Sequence, residues 1–244
     1  MFAVAMGIAA ALFTGCNKNS GGESGETGIA GRYLMSSKPF SCEMTAADES
    51  AKAFSMEGVI ELTFGDLITA AKSTIESAEV DPVYVTFNND GTIDAEPQVN
   101  DGTEDIPDYT ADQISYSVNK NNFTLKMDAD LIFSELEIPA ETVAQIKPML
   151  KVFDKGLLVY SDSDSKFIVN LRYSLSGGQL KIFADKALVN DTWTCADSVL
   201  DMVILMLEAQ DPATAAMLKS VSEQVPGIIN GLTKIEIGMT MSEQ

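Results

Sequence analysis

Carboxylates are the only chemistry-bearing side chains that this chain has in quantity. Its 244 residues include 36 Asp and Glu against 16 Lys and Arg, and no histidine. Without imidazole there is no Ser-His-Asp triad, no Cys-His pair and no histidine-based metal site. A glycosidase needs only two Asp or Glu at a suitable separation. With 36 acids no such pair stands out, so a carboxylate-based hydrolase ranks last among the function classes that stay open. Two short clusters have the alternate spacing of oxygen ligands for calcium: Asp162 with Asp164 in Ser161-Asp162-Ser163-Asp164-Ser165, and Asp128 with Asp130. Neither has the Gly and later Glu of an EF-hand loop, and both read more simply as solvated turns. No cofactor signature is present, and none is expected.

The three cysteines do different work. Residues 1–15 carry no charge and include Phe2, Val4, Met6, Ile8, Leu12 and Phe13 among several alanines, the composition of a signal-peptide core. They are too few to span a bilayer comfortably, which takes about 20 apolar residues. Phe13-Thr14-Gly15-Cys16 resembles the bacterial lipobox, with Phe13 where Leu is usual. That resemblance implies cleavage before Cys16 and lipid on its thiol, an anchor stronger than a single acyl chain. The leader lacks the basic residue of an n-region, so the reading frame is expected to extend upstream of Met1. Residues 16–27 continue as a Gly/Ser-rich flexible tether. With Cys16 given to lipid, Cys42 and Cys195 remain as an even pair in a disulfide-permissive compartment. A bridge between them would close a loop of about 150 residues; two buried free thiols are the alternative.

Charge narrows the partners. The net charge is −20, and the Lys and Arg are scattered with no two adjacent. Nucleic acid requires a basic face and is excluded as a partner, as is anionic lipid read by a polybasic patch. The acidic surface keeps an exported domain soluble.

The elements that must position these residues are mostly strands. Period-two alternation recurs at Ile60, Leu62 and Phe64; at Val83, Val85 and Phe87; and at Ile114, Tyr116 and Val118. After a turn at Asn119-Lys120-Asn121-Asn122 it returns through Phe123, Leu125 and Met127, which predicts a β-hairpin. A second hairpin is predicted from Phe167, Val169, Leu171 and Tyr173, a turn at Ser176-Gly177-Gly178, and Leu180 with Ile182. Ile235, Ile237, Met239 and Met241 form a last strand, and Asn88-Asn89-Asp90-Gly91-Thr92 a further tight turn. Amphipathic spacing predicts helices at 66–78 and 140–153. Two more are expected within an insertion at about 194–233, the first containing Val199 to Leu207, where eight of nine residues are apolar. The fold class expected is α+β, mainly antiparallel: a barrel or strongly curved sheet with covering helices and a helical hairpin before the last strand. One domain is expected over 28–244.

The order of tether, Gly31-Arg32-Tyr33, FNNDGT at 87–92 and YSVNKNNFTL at 116–125 resembles the lipocalin-like lipoproteins of gut Bacteroidetes, over about half the chain. The resemblance implies a calycin-type barrel, an address in the cell envelope at the outer membrane, and an apolar ligand inside the barrel. The Met-rich face of the hairpin, Met202, Met206 and Met217, together with Tyr33 and Trp193, is the candidate pocket lining, because methionine adapts to irregular shapes. Trp193, with Tyr160 and Tyr173 as candidate neighbours, offers a surface for stacking a glycan; as a lone Trp between a strand and a helix it reads first as core. Three functions remain in rank order: a binder of a small apolar molecule or glycan, a structural or protein-interaction lipoprotein without a pocket, and a hydrolase.

Overall fold

Gly177 and Gly178 both take positive φ, 58° and 72°, which a two-residue hairpin turn matching the right-handed strand twist requires. They join β10 (Lys166–Ser176) to β11 (Gln179–Asp185) with Ser176 opposite Gln179. A two-residue turn with positive φ at its first position alone, Lys120 at 58°, joins β7 (Ile114–Asn119) to β8 (Asn122–Asp128). The computed structural model describes residues 28–56, 60–98 and 109–244. The leader, Cys16 and the tether therefore lie outside the described residues.

The remaining strands are β1 (Gly31–Met35), β2 (Phe40–Ala46), β3 (Lys52–Met56), β4 (Ile60–Thr63), β5 (Val83–Phe87), β6 (Ile93–Pro97), β9 (Leu158–Ser161) and β12 (Leu232–Glu243). Among the described residues, one ten-stranded antiparallel sheet runs β6-β5-β1-β12-β11-β10-β8-β7, with β2 added to β12 and β9 to β10; β3 and β4 form a separate pair. The eight strands on that path follow one another in chain order around the ring, the arrangement of an up-and-down barrel. The sheet is nearly closed. Where β6 and β7 face each other, Tyr116 N–H donates to the Gly91 carbonyl (2.7 Å) and the Tyr116 hydroxyl to the Asn88 carbonyl (2.7 Å).

Five helices cover the sheet among the described residues: α1 (Phe64–Glu76), α2 (Ala129–Glu135), α3 (Ala140–Leu150), α4 (Lys186–Glu208) and α5 (Pro212–Gly231). The fold is α+β, mainly antiparallel, with a helical hairpin before the final strand, as expected. Three boundaries differ, two of them for a capping reason. Phe64, expected to end a strand, opens α1. Thr63 Oγ1 accepts from Asp66 N–H while the Asp66 carboxylate accepts from Thr63 N–H, a capping box. Helix α4 starts at Lys186 rather than at 194, because the Asp185 carboxylate accepts from Leu188 N–H at 2.9 Å. Trp193 therefore sits inside a helix rather than between a strand and one. Helix α3 ends at Leu150, three residues short of the expected 153.

Two of the insertions that interrupt the barrel pack together. One, between β1 and β5, supplies β2, β3, β4 and α1; the other, between β11 and β12, supplies α4 and α5. They meet over the first half of β12 in a second core of Cys42, Phe64, Ile68, Ile229, Leu232, Ile235 and Ile237. Farther along the same face of β12, Met239 and Met241 belong to the barrel core. Exposed strand edges are closed locally: Cys42 N–H of β2 reaches Glu76 of α1, and Ser55 N–H of β3 donates to Gln224 of α5 at 2.8 Å.

The connection from α3 to β9 locks onto α4. Leu157 N–H donates to Thr192 Oγ1 (2.7 Å), and Asn170 donates to the Gly156 carbonyl (3.0 Å). Gly156 has φ +87°, and a Cβ there would lie 2.5 Å from the Thr192 backbone nitrogen. Gly156→Ala is therefore expected to cost more than about 2 kcal/mol. Gly177→Ala, where an added Cβ meets nothing within 4 Å, should cost only about 1–2 kcal/mol from the left-handed backbone. Urea unfolding of both variants checks this; equal losses would remove the docking argument for Gly156.

Candidate functional site

The five residues proposed to line a pocket are not brought together. Tyr33, 1% exposed, is part of the barrel core, edge-on to Phe87 with ring centroids 5.9 Å apart. Phe87 in turn meets Tyr116 and Phe123 edge-on, and those two rings stack on each other at 5.8 Å. Aromatic rings thus occupy this part of the interior as mutual neighbours. Another part receives α2, whose Ala129, Ile132 and Phe133 are buried in the same core, with Phe133 against Phe167 and Phe167 against Tyr160. Burial raises the pKa of the Tyr33 phenol, and the nearby Glu243 carboxylate adds to the rise.

Trp193 packs outside the barrel core, between the second core and a small group of Phe153, Cys195 and Ala196. Its Nε1 is enclosed without a hydrogen-bond partner among the described residues. Tyr160 faces Phe167, and Tyr173 packs against the barrel core, so the aromatic group imagined around Trp193 does not form. Met202, Met206 and Met217 lie near the α4–α5 turn and are 38%, 65% and 46% exposed; Leu205 beside them is 67% exposed. Ile204 and Ala215 are the buried positions of this tip. Nearer the base, Ser222 of α5 donates to the Asp197 carboxylate of α4.

Each carboxylate of the two clusters has a partner within the chain. Asp128 caps α2 by accepting from Leu131 N–H at 3.0 Å, and Asp130 pairs with Lys147 at 2.8 Å. Asp162 pairs with Lys151 at 2.7 Å, and Asp164 accepts from Ser161 Oγ at 3.0 Å. Among the described residues no group of three Asp, Glu or Cys is placed to hold a metal ion.

Cys42 and Cys195 are both free and buried, in different hydrophobic groups. The bridge between them is not formed: Cys42 lies on β2 under α1, while Cys195 Sγ faces Asp154 and the Lys155 carbonyl at 3.8 Å. Burial pushes the Cys42 thiol pKa up, Glu76 adds to this, and Lys72 opposes it.

A four-residue charged cluster crosses three strands on the sheet surface. Lys181 of β11 reaches Glu43 (2.6 Å) and Glu236 (2.8 Å), and Lys234 of β12 reaches the same two carboxylates at 2.7 and 3.1 Å. Sequence reading missed this cluster because its partners lie up to 191 residues apart. Hydrogen bonds from Lys181 and then Lys234 hold the Glu43 carboxyl at about 2, against an ordinary 4.5. The square pins the β11-β12-β2 register and pairs both of its own carboxylates with lysine.

The chain matches no protein-family model, no curated protein and no solved structure. Among the described residues no helix is long and apolar enough to cross a membrane.

Two outcomes follow. In the Cys16→Ser chain without reductant, both thiols should resist a thiol reagent when folded and both should react in denaturant; a denatured chain with no reactive thiol would restore the bridge. Glu43, ionised when folded and more readily protonated when unfolded, contributes stability that is present above about 4.5 and lost as pH falls toward about 2. Because its side chain is 52% exposed, the contribution is under about 1 kcal/mol. Urea melts at pH 5 and 2.5 should show wild type losing more stability than Glu43→Gln between the two; identical losses would exclude this role.

Proposed function

We propose that the chain is a lipid-tethered, non-catalytic interaction protein of the bacterial cell envelope, at the outer membrane, that holds a partner against the tip of its α4–α5 hairpin. One observation carries this reading: the barrel interior is occupied by packed rings and α2, whereas Leu205 and Met206 turn two-thirds of their surface outward. Exposed apolar side chains grouped on one element mark interaction sites. The lipobox at Cys16 supplies the tether, and the histidine-free composition argues against most catalytic classes.

A second reading keeps a small apolar molecule or glycan inside the barrel, as the lipocalin resemblance implies. It is supported by the eight strands following chain order around a nearly closed ring, since barrels of this size either fill with side chains or hold one small ligand. Native mass spectrometry of the purified protein separates the two: a stoichiometric bound small molecule favours the barrel site.

The interaction reading is tested in cells with a photo-crosslinking residue at position 205, and at exposed Leu175 of β10 as control. Protein adducts from position 205 that are absent from position 175 are expected, with palmitate labelling lost in Cys16→Ser. Adducts to phospholipid only, or equal yields at both positions, would reject it.

A further inference from the structure

On α4 an apolar seam runs through Cys195, Val199, Met202 and Met206, at i, i+4, i+7 and i+11, with Leu205 beside the last two. Such positions share one helix face. The first half of the seam is covered by this chain itself, since Phe153 and Cys195 share one buried group against which Leu150, Val152 and Val199 pack. Among the described residues the cover ends past Val199, and Met202, Leu205 and Met206 are exposed. The opposite side of the helix is already used, by Ile204 and the contacts to α5.

Charge says what can complete the cover. Between Lys186 and Lys219 the sequence holds Asp191, Asp197, Asp201, Glu208 and Asp211 and no basic residue. Asp201 and Glu208 stand four before and three after Leu205, along one border of the bare seam, and both are exposed. Among the described residues neither forms an ion pair. A second copy would bring the same carboxylates on a chain of net charge −20, and like charges placed together oppose docking. An anionic lipid surface is disfavoured for the same reason. We propose that Met202, Leu205 and Met206 dock a basic amphipathic helix, whose apolar side extends the cover that Leu150 and Phe153 begin and whose Lys or Arg meet Asp201 and Glu208. Two methionines suit such a groove because their unbranched side chains re-pack around different apolar partners.

This inference rests on the interaction reading and adds the chemistry of the partner. The test uses the Cys16→Ser chain with methyl-labelled methionine and three synthetic 18-residue peptides: Leu/Lys at helical spacing, Leu/Glu in the same pattern, and Ser/Lys of equal charge. The Leu/Lys peptide should bind saturably in the micromolar range, move the Met202 and Met206 methyl signals, and weaken severalfold from 50 to 300 mM salt, as exposed ion pairs do. Leu/Glu and Ser/Lys should each bind at least tenfold more weakly. Leu205→Glu/Met206→Glu, and separately Leu205→Ser, should weaken Leu/Lys binding, the double variant at least tenfold, with the urea midpoint unchanged. Binding that the variants leave intact, equal binding of Ser/Lys, or methyl shifts that depend only on protein concentration would overturn the proposal. Cross-linking from position 205 in cells without Leu/Lys binding would overturn the partner's chemistry and leave the interaction reading standing.

Discussion

Strand β12 is hydrogen-bonded along both edges for most of its length, and the two cores depend on that double pairing. On one edge β11 runs from Gln179 opposite Ser242 to Asp185 opposite Glu236; on the other, β2 pairs with the Leu232–Met239 half and β1 with Ser242 and Glu243. The β1 pairing joins the first and last strands of the barrel, and the β2 pairing brings in the first insertion. One face of β12 then gives Ile235 and Ile237 to the outer core and Met239 and Met241 to the barrel. A one-residue slip would turn all four side chains toward solvent. The Lys181, Glu43, Lys234 and Glu236 square adds a polar check on the same register, weak in energy but specific in geometry.

The strands were legible because a strand with one buried face writes its orientation in every second residue. The alternation at Phe123, Leu125 and Met127, or at Leu180 and Ile182, is a local property that survives into the fold unchanged. Turn chemistry was equally local at Gly177-Gly178. Helix starts were less so. Thr63 with Asp66 and Asp185 before Leu188 are capping signals visible in sequence, yet each follows directly on a strand, where the alternating pattern competes with the cap. The short helix α2 was hidden because its capping Asp128 sat in a carboxylate pair with calcium-like spacing.

The site residues were harder to read, because exposure is set by what arrives from elsewhere in the chain. Met202 and Met206 have the spacing and apolarity of a buried face, and nothing local separates them from Cys195 and Val199, which are covered. The difference lies in how far the connection between α3 and β9 extends along α4. Tyr33, read as a pocket wall, has the environment of a core residue because three further rings converge on its neighbourhood from β5, β7 and β8. Residue types gave the chemistry available to the chain; only the packing decided which groups had any of it to spare.

The central role of β12 also orders events in time. Every other strand in the two cores precedes it in the chain, so neither core is complete during synthesis until this segment has emerged. The β1–β12 pairing joins residues near position 33 to others near 243, a separation that places much of the cost of loop closure before its reward. Until β12 has formed its pairs on both edges, the strands of both cores stay open to other partners.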